Sequence, residues 1–331
     1  MTATTGAEAT QTERLLAAFD EHMRSQDRAA GTRKTFSAAA KRFADWFAAS
    51  PNRQGRTLLQ VTSKDVLEHK AFLIGQRRKT ATINLRITSL HALYAYTVSA
   101  GLRADNPVDG VRREREQPQP PKSLGRAEVN SLRRAAVNRI ALADDNRKPK
   151  DITPTAAIAR RDNAILMTFL GTGVRLAELC AIELDDVTMT TRNGQLRIRG
   201  KGGKTRHPKL NPEVRAAIQT WLDVRPTYLA ARTEEGQEPT AALFASRSGG
   251  FLSHRVVGQM LSALAEEAKL EPGSVSPHTL RHTFSKEMVS SQSIEKVQAA
   301  LGHANLNTTA RYIKPTDEDM QAAFDAVSWM E

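Results

Sequence analysis

Apolar residues return every three or four positions through the first hundred residues, then give way to a broken, proline-rich stretch. Leu15, Leu16, Phe19 and Met23 form one stripe, and Phe36, Ala40, Phe43 and Phe47 form a second, each the signature of one helix face. Thr62 and Asp65 stand at the spacing of a capping box, which predicts a third helix running through Leu67, Ala71 and Ile74. Ile83, Ile87, Leu90, Tyr94 and Val98 predict a fourth, ended by Gly101. Residues 1–11 are small and polar and read as a loose terminus, so the helical domain is placed at 12–105.

Residues 106–122 read as a linker. Pro107, Gly110, Pro118, Pro120 and Pro121 interrupt regular structure, and Arg112, Arg113 and Arg115 alternate with Glu114 and Glu116. A second domain then occupies 123–331. In it Ile158, Ile165, Leu166 and Phe169 predict a helix ending at Gly171–Gly173, followed by a short helix with Arg175 and Glu178. Residues 195–199 alternate apolar and basic side chains as a strand does, the glycines at 200–203 turn it, and Thr205 to Leu210 supply a returning partner. Asp144 to Thr155 and Thr233 to Thr240 read as surface loops. A final helix carries Met320, Phe324 and Val327 after an acidic first turn at Asp317, Glu318 and Asp319. The whole is mainly α with a small antiparallel β-sheet.

A length of 331 residues suits two domains with separate cores. No apolar run approaches the ~20 residues of a membrane span, and the first residues lack the basic and apolar regions of a signal peptide. Cys180 is the only cysteine, which excludes an internal disulfide. A cytoplasmic location without membrane contact is expected. The formal charge of +12 favours a polyanion partner. Both halves share it: residues 1–121 hold 19 basic and 12 acidic side chains, and the remainder holds 29 and 24. In the first domain Arg33, Lys34, Lys41, Arg42, Arg77, Arg78, Lys79 and Arg86 lie beside the apolar stripes. They suit either solvated helix faces or a grip on duplex DNA, and the linker's Arg112 and Arg113 suit a phosphate backbone equally.

Towards the C-terminus the residues supply the parts for attack on a phosphodiester. That reaction needs a nucleophile, relief of charge on the non-bridging oxygens, a proton for the departing oxygen, and fixed geometry. Tyr312 offers a phenol, whose ordinary pKa of ~10 requires nearby cations to react at neutral pH. Arg175 and Arg281 offer guanidinium forks that match phosphate oxygens; an ion pair with Glu178, one turn on, is compatible with that role for Arg175. His278 and Arg281 stand at i and i+3 and so share a helix face. His278 suits an acid–base role. With His282 at i+4 it also resembles half a metal site, but Thr279 stands where a helical zinc motif has glutamate, and no further ligands complete the set. Lys201 and Lys204, in the glycine-rich turn, are rival proton donors to a leaving alkoxide, or simple phosphate contacts along with Arg206. No nucleotide P-loop pattern occurs. His303, ahead of the tyrosine, suits a hydrogen bond to phosphate or a helix cap.

The order and spacing of these groups resemble the tyrosine recombinase (phage integrase) family, over roughly 123–331. The resemblance implies Arg175, Lys201, His278, Arg281, His303 and Tyr312 as the catalytic set, the family's Gly–Lys–Gly–x–Lys pattern favouring Lys201 over Lys204. It implies site-specific recombination or integration of double-stranded DNA, with Tyr312 forming a 3′-phosphotyrosyl link and releasing a 5′ hydroxyl, and with neither metal nor ATP as cofactor. It implies a two-domain C-shaped DNA clamp, a dimer on each site, and a tetramer joined through the C-terminal helix. No arm-binding domain is read ahead of the first helix, which fits a simple recombinase. A type IB-like topoisomerase and an inactive DNA-binding relative are the alternatives.

Overall fold

The computed structural model describes residues 2–115, 122–144, 153–200, 205–230, 232–233 and 238–291. The chain divides into two compact units, Met1–Pro118 and Gln119–Glu331.

In the first unit, helices α1 (Thr2–Ser25), α2 (Ala30–Ala48), α3 (Ser63–Gly75) and α4 (Thr80–Ser99) enclose one core. Phe19, Phe43, Leu73, Leu90, Leu93 and Tyr94 are each at most 1% exposed. Burying each such side chain stabilises by roughly 1.5–3 kcal/mol relative to leaving it in water. Helix α1 starts at Thr2, inside the stretch expected to be loose. Ala3, Ala7, Glu8 and Ala9 are strong helix formers, and no proline interrupts them. The stripes expected for α1, α2 and α4 face the core, with Leu16, Phe36 and Val98 at its margin. Gly101 follows α4 at a φ of +68°, the left-handed conformation that closes a helix at little cost for glycine.

Helix α3 corrects one expectation. Its capping box forms as foreseen: the Thr62 amide donates to Asp65 Oδ2 at 2.8 Å, and the Asp65 amide donates to Thr62 Oγ1 at 3.4 Å. Its buried face, however, is Val66, His69 and Leu73, while Leu67, Ala71 and Ile74 face solvent. Two apolar stripes share the helix, and packing against α2 and α4 selects the one whose geometry continues inward from Asp65. The first part of the expected linker is also bound down. Pro107 and Val108 are buried, the Glu114 amide donates to Asn84 Oδ1 at 2.8 Å, and Lys70 donates to the Arg112 carbonyl at 2.6 Å. Residues 106–115 thus lie against α3 and α4, and 116–121 fall outside the described residues.

The second unit is built on α6 (Pro154–Thr172), which α5 (Arg126–Asp144), α8 (Pro212–Ala230) and α10 (Pro277–Ser291) flank. Thr153 caps α6, accepting from the Ala156 amide at 3.2 Å, and Pro154 begins it where no amide hydrogen is needed. Ala164, Ile165, Leu166 and Phe169 are buried together, as befits a helix covered on several sides. Helices α7 (Leu176–Cys180) and α9 (His254–Glu267) complete the helical part.

The expected strand at 195–199 divides into two. Strand β2 (Gly194–Leu196) pairs antiparallel with β1 (Val187–Met189), Val187 opposite Leu196. Strand β3 (Ile198–Arg199) pairs antiparallel with β4 (Thr205–Arg206), Ile198 opposite Arg206. The break falls at Arg197, whose amide donates sideways to the Asp186 carbonyl at 2.8 Å. The expected return of 205–210 is present in β4 and in a bridge between Gln195 and Lys209. Among the described residues no helix is long and apolar enough to cross a membrane.

Candidate active site

Helix α6 ends where the site begins. Gly173 takes a φ of +58°, and a Cβ there would lie 2.3 Å from Phe284 of α10, so both backbone and neighbour demand glycine. Two residues on, Arg175 caps α7. Its amide donates to Glu178 Oε2 at 2.8 Å, and its Nη1 donates to Glu178 Oε1 at 2.8 Å. From β4, Arg206 Nη2 donates to the same Glu178 Oε2 at 2.7 Å. One carboxylate therefore holds two guanidiniums.

Exposure separates the partners. The Glu178 side chain is 8% exposed and that of Arg206 is 12%, whereas that of Arg175 is 49%. Arg175 is anchored on one edge and open on the other, the geometry of a group that waits for an anion. Burial alone would raise the Glu178 carboxyl, but the Arg175 amide, the Arg206 charge and the Arg175 guanidinium hold it below the ordinary value. Burial, with a smaller contribution from the Arg175 charge, lowers Arg206. Its Nε and Nη1 are buried and have no hydrogen-bond partner among the described residues.

Arg281 rises from α10 and is only 6% exposed. Its Nη1 donates to the carbonyl of Gly173, in the turn that delivers Arg175. The two arginines are thus tied to one short segment, one through a carbonyl and the other through a carboxylate. Helix α10 is itself fixed: Ser276 Oγ accepts from the Thr279 amide at 3.0 Å, and Thr283 Oγ1 accepts from the Leu124 amide at 2.9 Å.

His278 and Arg281 share α10 as expected, with His278 exposed. The His278 and His282 rings meet edge to face with centroids 3.9 Å apart, and their Nε2 atoms are 2.6 Å apart. A hydrogen bond between two imidazoles needs one donor and one acceptor, and the tautomers decide which ring plays which part. Among the described residues no three metal-ligating side chains gather. Lys201, Lys204, His303 and Tyr312 lie outside the described residues, as does the helix with Met320, Phe324 and Val327.

For Arg206 a basic hairpin suggests an exposed contact, whereas β4 turns this side chain towards Glu178 and leaves it 12% exposed. In the first unit, Arg33 leans to Asp20 at 3.8 Å and Lys41 to Asp45 at 3.4 Å. Lys34, Arg77, Lys79, Arg112 and Arg113 are exposed, and Arg42, Arg78 and Arg86 line one cleft.

The phage integrase family matches residues 131–319. Tyrosine recombinase XerC of Vibrio atlanticus is 32% identical over 248 residues, covering 75% of this chain and 71% of that protein. Tyrosine recombinase XerC of Alcanivorax borkumensis is 31% identical over 279 residues, covering 82% and 83%. Among solved structures, the fold is similar to that of the XerH site-specific recombinase in a pre-cleavage complex with its difH substrate. The TM-score is 0.69 at 19% identity, covering 96% of this chain and 85% of that one. It is also similar to a lambda integrase dimer bound to a COC′ core site, with a TM-score of 0.66 at 15% identity, covering 91% and 94%.

Proposed function

This chain belongs to the phage integrase family of tyrosine recombinases, and from that premise we propose that it cuts and rejoins double-stranded DNA at specific sites through a 3′-phosphotyrosyl intermediate. The observation that carries the reading is the fixing of Arg175 and Arg281 to one turn, through Glu178 and the Gly173 carbonyl. Cleaving a phosphodiester builds negative charge on its non-bridging oxygens, and donors positioned beforehand stabilise that charge without reorganising during the reaction. The open edge of Arg175 meets the scissile phosphate, and Arg281, held by the Gly173 carbonyl, is directed to the same group.

Tyr312 attacks phosphorus and takes over the 3′ phosphate, while the 5′ oxygen departs with a proton from Lys201. His278 and His303 support the proton movements and hydrogen-bond the phosphate. The 5′ hydroxyl of a partner strand then reverses the exchange, so the ester energy is conserved and neither ATP nor metal enters. Arg206 acts through Glu178 as a brace for Arg175 rather than as a DNA contact.

Both units contact the duplex, with two copies on each site and four joining two duplexes. The C-terminal helix docks on a neighbouring copy through Met320, Phe324 and Val327. A cavity of about 630 Å³ in the second unit, lined in part by Met167, Leu170, Val214 and Phe284, offers apolar surface for it. The relatives and neighbours are recombinases, which favours this reading over a relaxing topoisomerase or an inactive relative.

The test is covalent trapping. Duplexes bound by the purified protein are selected from random sequence, and one is rebuilt with a nick beside the cleavage position. In excess EDTA the wild-type protein is expected to accumulate a protein–DNA adduct. Normal binding without an adduct would overturn the enzymatic reading, and relaxation of supercoils by a monomer without recombinant products would replace it with the topoisomerase.

A further inference from the structure

In the first unit, a cleft of about 570 Å³ opens between the C-terminal part of α2, α3, and the α3–α4 turn with the following helix. Its floor is aromatic: Trp46 lies 4.5 Å from His69 and 6.0 Å from Phe72, centroid to centroid. Arg42, Arg78 and Arg86 line it, and no carboxylate does among the described residues. Arg42 and Arg86 form no hydrogen bond or ion pair with a described residue, and Arg78 Nε reaches only Gln76 Oε1 at 3.3 Å. A fourth arginine shows the contrast. Arg53 stacks 4.1 Å over Trp46 but is neutralised by Asp65 at 3.1 Å and by Glu68.

Three uncompensated guanidiniums around one cleft repel one another. Burial, then the charges of Arg42 and Arg78, lower Arg86 from its ordinary value. His69, 2% exposed, adds no fourth positive charge at neutral pH, because burial and the Arg86 and Arg53 charges push it down to about 4. Its Nδ1 is buried without a partner among the described residues. An anion relieves this repulsion, and guanidinium forks match phosphate oxygens. Beside the arginines, the aromatic floor, with Phe72 41% exposed, adds apolar surface that suits the sugar edge next to a phosphodiester.

We propose that this cleft is a phosphate seat, in which Arg42, Arg78 and Arg86 together hold one phosphodiester group of bound DNA. The DNA source rests on the recombinase reading; the seat itself rests on the cleft alone. The experiment compares wild-type protein with Arg86→Gln and Arg86→Lys in two arms. In the first, melting is followed with inorganic phosphate against chloride at equal ionic strength. In the second, affinity for a random duplex is followed against salt.

Phosphate should raise the melting temperature of wild type and of Arg86→Lys, and leave Arg86→Gln unmoved relative to its own melting in chloride. The slope of log affinity against log salt should fall by about 0.9 in Arg86→Gln, the value of one lost phosphate contact. A phosphate effect lost without a change in slope would overturn the DNA assignment and leave a seat for free phosphate. Equal behaviour of wild type and Arg86→Gln in both arms would overturn the seat. Absence of DNA binding by wild type would instead strike the recombinase reading.

Discussion

The two units treat arginine in opposite ways. In the second, each guanidinium near Glu178 or Gly173 is held by a carboxylate or a carbonyl, and Arg175 is the most exposed of the three. In the first, Arg42 and Arg86 stand in a cleft without counter-charge from any described residue. Bracing sacrifices some attraction for position, which a transition state rewards. An unbraced cluster keeps its attraction, and a phosphate backbone rewards that through counterion release. The contrast divides the chain into a part that reacts and a part that grips.

Arg175→Lys should break the comparison most visibly. Lysine keeps the charge but loses the fork that meets Glu178 on one side and phosphate on the other. Single-turnover cleavage should fall at least ~10²-fold, as when a preorganised donor is removed, while DNA affinity stays within about twofold. A parallel loss of affinity would place Arg175 with the gripping set.

Arg206→Met should cost about tenfold in cleavage, the scale of one charge-assisted hydrogen bond. It has a second signature. Arg206 helps hold the Glu178 carboxyl low, so its removal moves that carboxyl upward, and the acid limb of the cleavage profile should move to higher pH. Arg206→Lys should restore part of both effects. A lower rate with an unmoved acid limb would mean that Arg206 only supports the fold.

The smallest effect concerns stability. His69 sits at about 4, below the ~6.5 of an unfolded histidine. The unfolded chain therefore binds more protons between these values, and stability should fall as pH drops from about 6.5 towards 4. His69→Phe removes the titrating group and should flatten that slope in chemical denaturation of the intact chain. An unchanged slope would assign it elsewhere. Below that window Asp65, held under the ordinary carboxylate range despite its burial by bonds from Arg56, Thr62 and Arg53, continues the acid loss.

Periodicity was a sufficient guide where a helix carries one apolar stripe. The faces of α1, α2 and α4 follow from it, and Gly101 and Gly173 mark helix ends because a left-handed residue is needed there. On α3 it misled. Thr62 and Asp65 locate the start of that helix without saying which of two stripes turns inward, and only its neighbours choose Val66 and Leu73 over Leu67 and Ile74. The strand at 195–199 was legible as extended chain. Its division depends on Asp186, whose carbonyl captures the Arg197 amide.

At the site, the pairing of Arg175 with Glu178 was readable from their spacing within one helical turn. The role of Arg206 was not, since its partner lies 28 residues earlier and its burial depends on the hairpin's register. The phosphate seat was equally hidden: Arg42, Arg78 and Arg86 look alike in a basic sequence, and only folding sets them apart from Arg33 and Lys41, which carboxylates answer.

The most direct measurement is the identity of the residue that carries the DNA. Peptides from the trapped adduct, digested and sequenced by mass spectrometry, should bear a 3′-linked nucleotide on Tyr312, and Tyr312→Phe should bind the same duplex and yield no adduct. A nucleotide on another side chain, or an undiminished adduct from Tyr312→Phe, would contradict the account.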